Sequence, residues 1–131
     1  LVENSLTQIS GNVIIRDNQI LLIYREDKGY WEVPGGKVRK DESPTETAVR
    51  EAREEIGVEV ELEKPFFSGE FQHEDQIFLW HGYISEIVDG KPGVREEKFS
   101  ELDWFGSDDL TDLELAPNLR MIEPSLTRIL D

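Results

Sequence analysis

A chain of 131 residues, 37% of them apolar, is long enough for one domain with a buried core. Its 29 acidic and 14 basic side chains give a formal charge of −15. That charge excludes the basic face a general nucleic-acid binder or a protein docked on anionic membrane needs. There is no cysteine, which excludes disulfides, thiolate nucleophiles and cysteine metal sites.

No run approaches the roughly 18 apolar residues of a membrane span. The start, Leu1-Val2-Glu3-Asn4, shows no basic-then-apolar signal pattern and no initiator Met, as a trimmed chain would. The expectation is a soluble, cytoplasmic protein with a single domain over 1–131, and no repeat or linker interrupts it.

In chain order, Val13-Ile14-Ile15 and Ile20 to Tyr24 are β-branched or apolar runs around Asp17-Asn18, the pattern of a hairpin. Trp31-Glu32-Val33 runs into Pro34-Gly35-Gly36, which reads as a turn or loop. Ser43-Pro44-Thr45-Glu46 then combines a capping Ser, Pro at the first helical position and Glu at the third. The helix it predicts runs from Pro44 through Ala48, Val49 and Ala52 to Ile56 and stops at Gly57. Val60 and Leu62 alternate with glutamates as a half-exposed strand, and Ile77 to Ile84 reads as a strand buried on both faces. A loop over Asp89 to Gly93 precedes a short strand at Leu102 to Phe105. Leu119, Ile122, Leu126 and Ile129 recur at helical spacing, with Pro124 expected to kink or restart that helix. Together these elements predict an α/β (α+β) sandwich.

On the predicted helix Glu51, Glu54 and Glu55 share one face, at spacings i, i+3 and i+4, beside the apolar stripe of Val49, Ala52 and Ile56. Three crowded carboxylates repel one another, so a positive group must hold them. Arg50 can reach sideways, and a divalent cation would do more, Mg²⁺ or Mn²⁺ suiting oxygen ligands. Taken alone the triplet fits a solvated acidic face equally well. The segment before it matters more, because Gly35-Gly36 follows a strand and lets backbone approach a ligand closely.

From Gly36 the chain runs five residues to Glu42, seven more, then Arg50-Glu51-Ala52-Arg53-Glu54-Glu55-Ile56-Gly57-Val58. This resembles the Nudix box, the signature of the Nudix hydrolase family, with every fixed position matched and Ala52 a small choice in its apolar slot. The resemblance implies a Nudix-type α/β/α sandwich with a mixed central sheet. It also implies Mg²⁺-dependent hydrolysis of a phosphoanhydride in a nucleoside diphosphate linked to another group, with Mn²⁺ a possible substitute. Carried over by position, Glu51, Glu54, Glu55 and the carbonyl of Gly35 would be metal ligands, with Glu42 and Arg50 bracing the loop and carboxylates. Glu51, Glu54 and Arg50, with a further glutamate, would carry catalysis.

Outside the box, Arg25 resembles a phosphate-contacting Arg of MutT-like members, and Asn118 stands where they place a base-reading Asn. An exposed charge and a helix N-cap are the structural alternatives for these two. Members often draw the extra Glu from ahead of the last aromatic strand. Glu96, Glu97 and Glu101 qualify, with Glu97 favoured. Residues 25–53 hold seven basic and seven acidic side chains, a neutral stretch in an anionic chain that would ease approach of a polyphosphate. Trp31, Phe71 and His81 read as packing residues ahead of ligand contacts.

A P-loop is excluded, since position 31 is Trp and no Ser or Thr follows Lys37, and no Gly-x-Ser-x-Gly supports a serine hydrolase. A Nudix-fold regulatory module that binds nucleotide without cleaving it is the non-enzyme alternative. Among substrates, Glu74 stands where ADP-ribose members often carry Pro, and Glu74-Asp75-Gln76 lacks the Tyr of dinucleoside-polyphosphate members. The reading is a MutT-like nucleoside triphosphate pyrophosphohydrolase, with ADP-ribose or another nucleotide sugar second. It is expected to be a monomer or homodimer whose partner is a small nucleotide.

Overall fold

The computed structural model describes residues 6–131, so the reading of the first four residues lies outside the described part. Among the described residues, seven strands and three helices follow one another. They are β1 (Leu6–Arg16), β2 (Gln19–Arg25), β3 (Tyr30–Glu32), β4 (Gly35–Lys37), α1 (Pro44–Ile56), β5 (Glu59–His73), β6 (Gln76–Asp89), β7 (Phe99–Phe105), α2 (Ser107–Leu110) and α3 (Pro117–Leu130). The central path is β3-β2-β1-β6-β5, with β4 also paired to β1 and β7 to β2. The β1–β6 pairing is parallel and the other strand pairings are antiparallel, so the sheet is mixed.

Successive residues of β1 and β2 supply opposite cores. Val13, Ile20 and Leu22 pack with Leu119, Ile122 and Leu126 of α3, whereas Ile14, Leu21 and Ile23 pack with Ala52 and Ile56 of α1. Burial on both faces by period-2 alternation produces the expected α/β/α sandwich.

The hairpin turn falls at Asp17 and Asn18, whose φ of 53° and 60° suit the right-handed twist of a two-residue turn. The bounds of α1 also agree with the sequence. Ser43 Oγ accepts from the Glu46 amide, Glu46 returns a bond to the Ser43 amide, and Gly57 closes the helix at φ 73°.

Three expectations need correction. Gly35-Gly36 is not a loop but the start of strand β4, because both glycines pair with Ser10 and Gly11 of β1. Strand β6 is longer than expected, and most of Ile77 to Ile84 is only half-buried. Pro124 does not restart α3, which runs as one helix to Leu130. Pro124 is exposed, so its missing donor affects the solvent side. Leu126 and Leu130 beyond it are buried, at roughly 1.5–3 kcal/mol each, which outweighs the proline cost of about 3 kcal/mol. Leu130, not the exposed Ile129, completes the apolar face. Among the described residues no helix is long and apolar enough to cross a membrane.

Candidate functional site

Strand β1 carries the polar groups that fasten the box to the sheet. Buried Asn12 donates from Nδ2 to the carbonyls of Pro34 (3.1 Å) and Ala48 (2.9 Å) and accepts from Ser85 at Oδ1. Ser10 donates to the Pro44 carbonyl at 2.6 Å. These bonds hold the strand before the box and the first turns of α1 at fixed positions. The two glycines answer two different close approaches. A side chain on Gly35 would strike the Ser10 carbonyl, and one on Gly36 would strike the Glu51 carboxylate.

The carboxylates of α1 then separate by depth. Glu55 is fully buried, the Glu51 side chain is 13% exposed and that of Glu54 is 41% exposed. Glu55 Oε1 accepts from the Gly35 amide at 2.8 Å, while Oε2 is buried with no hydrogen-bond partner among the described residues. Burial first, and then the neighbouring Glu51, push the Glu55 carboxyl up to about 9. Burial likewise raises Glu51, against the pull of Arg50.

Arg50 is the central brace. It holds Glu42 through Nε at 2.5 Å and Nη2 at 2.9 Å, and its Nη1 reaches Glu51 at 3.0 Å and Glu54 at 3.1 Å. Nη2 also donates to the Lys37 carbonyl. The hydrogen bond from Arg50 holds Glu42 down at about 2. Both partners of the expected brace are therefore in place.

On the Glu51 side of this network lies a cavity of about 530 Å³. Glu51, Gly35, Gly36, Arg25 and Asn118 line it, as do Lys28, Lys37 and Lys98. The rings of Phe71 and Phe78, stacked with centroids 5.2 Å apart, form part of its wall. Asn118 is the second residue of α3 and not its cap, which is Ala116, so the N-cap alternative does not hold. Arg25 is not a free surface charge. It pairs with Asp27 at 2.7 Å and stands 3.7 Å from Glu32.

The structure does not bring Glu97 to this cavity. The loop ahead of β7 is tied to the end of α1 by the Gly93 and Arg95 amides, which donate to the carbonyls of Ile56 and Glu55. A turn from Glu96 to Phe99 then leaves Glu97 exposed and directs Lys98 inward. Glu96 and Glu101 do not line the cavity either.

Among the lining residues that the sequence does not single out are two that carry charge into the site. Lys98 is one. Glu32, one residue after Trp31 in β3, is the other, its carboxyl raised by burial to about 7 despite Arg25. Alternation in β3 was the available signal, since Trp31 packs on Tyr24 and Phe105 and its neighbour must face the other way. Phe71 proves to be a cavity residue, whereas Trp31 is packing as expected. His81 is satisfied by Gln8 (2.9 Å) and Ser68 (3.4 Å).

As the side chains stand, no three Asp, Glu or His groups among the described residues converge closely enough to hold a metal ion. The donor set nonetheless suits one. It offers hard carboxylate oxygens, a buried Glu55 oxygen without a hydrogen bond, and a glycine cradle that only a missing Cβ leaves open to Glu51.

Basic side chains, stacked aromatics and a carboxylate-bearing helix around one cavity suit an enzyme that acts on the phosphates of a nucleotide. The NUDIX domain family matches residues 7–126, and the chain belongs to the Nudix family. It is thus a Nudix hydrolase, acting on a phosphoanhydride bond in a nucleoside diphosphate-linked substrate.

Among its relatives is a putative 8-oxo-dGTP diphosphatase of Bacillus subtilis, 39% identical over 109 residues, covering 81% of this chain and 69% of that one. The CTP pyrophosphohydrolase of Escherichia coli is 29% identical over 116 residues, covering 86% and 84%. A MutT NUDIX hydrolase from Burkholderia pseudomallei superposes with a TM-score of 0.85 at 28% identity, over 92% of this chain and 97% of that structure.

Proposed function

We propose that the protein is a Mg²⁺-dependent, MutT-like nucleoside triphosphate pyrophosphohydrolase. The observation that carries this reading is one cavity lined by Glu51 of α1, four basic side chains and a stacked aromatic pair beside Asn118. The names of the 8-oxo-dGTP and CTP relatives favour triphosphates over nucleotide sugars. Glu51, Glu54 and Glu55 would hold Mg²⁺, or Mn²⁺ in its place, with the Gly35 backbone alongside. When bound, the metal supplies neutralisation of phosphate charge and activation of water for in-line attack at phosphorus.

This chain's own residues do the rest. Arg50 and Glu42 fix the directions of the carboxylates. Arg25, released from Asp27, and the cavity lysines bind the phosphates, and Asn118 contacts the base edge against the Phe71–Phe78 wall. The test is a panel of triphosphates, nucleotide sugars and dinucleotides with Mg²⁺. Monophosphate and pyrophosphate from a triphosphate support the reading. Preferential cleavage of ADP-ribose or another nucleotide sugar replaces the substrate assignment, and binding without turnover of any of them replaces the enzyme with a regulatory module.

Asn118 gives a sharper prediction. A lost neutral hydrogen bond is worth about 0.5–1.5 kcal/mol, and an unpaired buried partner costs about 1–3 kcal/mol. Asn118→Ala is therefore expected to lower kcat/KM for the preferred base by roughly 3- to 100-fold. Other bases should change less and the melting temperature little, since Asn118 caps nothing. Equal losses across a four-base kcat/KM panel would end its role in base reading.

A further inference from the structure

Lys98 stands where no box residue predicts a cation. Its Nζ is 3.6 Å from Glu55 Oε2, the buried oxygen without a hydrogen bond, and 3.7 Å from Glu96. The 3.6 Å separation is too long for a hydrogen bond, and it places the ammonium beside the carboxyl cluster without saturating that oxygen. The Lys98 charge also acts on Glu32 and Glu51, so one ammonium serves several carboxyl groups of the cavity.

Its backbone is fixed while its side chain remains partly exposed. The Lys98 carbonyl accepts from the Glu26 amide at 3.0 Å, Arg95 is tied to Glu55 as above, and yet the Lys98 side chain is 42% exposed. The head group rests over the Phe99 ring at 5.2 Å, and the residue lines the cavity.

We propose that Lys98 is a built-in counter-cation, held by the Glu55 side of the carboxylate cluster when the protein is metal-free and displaced onto the substrate's phosphates when a divalent ion binds. The inference rests on the metal-dependent reading given above. A divalent ion adds two positive charges, so the site becomes more positive even if a carboxyl proton leaves. The ammonium is then repelled from Glu55 and attracted to the polyphosphate that enters the same cavity. Lys98 thus costs metal affinity and contributes substrate affinity. A lysine that merely decorates the surface does neither.

The test is a calorimetric titration of Mn²⁺ alone into metal-free parent, Lys98→Met and Lys98→Arg, followed by triphosphate kinetics at saturating metal. Lys98→Met is expected to bind Mn²⁺ roughly fivefold tighter, the effect of removing one partly screened charge at this distance. Its KM should rise by about the same factor with kcat changing less, and Lys98→Arg should stay near the parent in both. Parent protein that binds no Mn²⁺ overturns the metal reading and this inference with it. Parent and Lys98→Met that bind Mn²⁺ equally overturn the inference alone. Tighter metal binding with an unchanged KM overturns the displacement onto substrate.

Discussion

In metal-free buffer at pH 7, Glu55→Gln is expected to melt at a higher temperature than the parent while losing most Mg²⁺-dependent turnover. The carboxyl lies fully buried, with one oxygen bonded to the Gly35 amide and the other unpaired. Its folded value of about 9 stands well above the ordinary 4.5 of an exposed Glu. Below pH 4.5 both folded and unfolded chains hold this proton, and the group leaves stability unchanged. As pH rises from there towards 9 the unfolded chain ionises while the folded one does not, so stability falls throughout that window. At pH 7 the accumulated loss is on the order of 3 kcal/mol, and Gln, which keeps the acceptor for Gly35, should recover much of it. Melting curves at pH 5, 7 and 8.5 check this. The advantage of Glu55→Gln should grow with pH, and adding Mg²⁺ should raise the parent's melting temperature more than the variant's. An advantage that shrinks as pH rises would contradict the buried-carboxyl account.

Arg50→Ala should act in the opposite direction on stability and in the same direction on activity. The Arg50 side chain is 14% exposed and contacts Glu42, Glu51, Glu54 and the Lys37 carbonyl. Removing it leaves three carboxylates crowded without their shared cation. The cost is on the order of 2 kcal/mol, between that of an exposed pair and that of a buried one. Saturating Mg²⁺ should restore part of the melting temperature, because added positive charge relieves the same repulsion. Turnover should stay low even then, since Glu42 no longer fixes the carboxylate directions. Unchanged melting and turnover would reduce Arg50 to a surface residue.

Local chemistry made much of this protein legible in its sequence. The Asp17-Asn18 turn, the Ser43–Glu46 capping box and the stop at Gly57 are each decided by a few adjacent residues, and the spacing of the box placed Glu51, Glu54 and Glu55 on one helix face. What stayed hidden depends on partners distant in the chain. Gly35 and Gly36 carry no side-chain pattern, so their pairing with Ser10 and Gly11 shows only once β1 is in place. The long β5–β6 hairpin is obscured by irregular register between Leu62 and Lys64 and between Pro65 and Phe67. Pro124 is tolerated because of core contacts made farther along α3. The favoured extra glutamate, Glu97, lies outside the cavity for a related reason. Spacing treats Glu96, Glu97 and Glu101 alike, and only the tie between Arg95 and the end of α1 decides that Lys98 turns inward.

The most direct test of the central claim, that the carboxylate face of α1 loads the metal for phosphoanhydride hydrolysis, is the Mg²⁺-dependent turnover of Glu54→Gln beside the parent. The substitution removes one charge without changing shape. Glu54 is the most exposed of the three carboxylates, so its pairs with Arg50 and Arg39 contribute little to stability. The expected result is a melting temperature equal to the parent's or slightly above it in metal-free buffer, with most of the release of pyrophosphate from a nucleoside triphosphate lost. Turnover within about threefold of the parent, a difference of only about 0.7 kcal/mol in activation free energy, would contradict the metal role of Glu54.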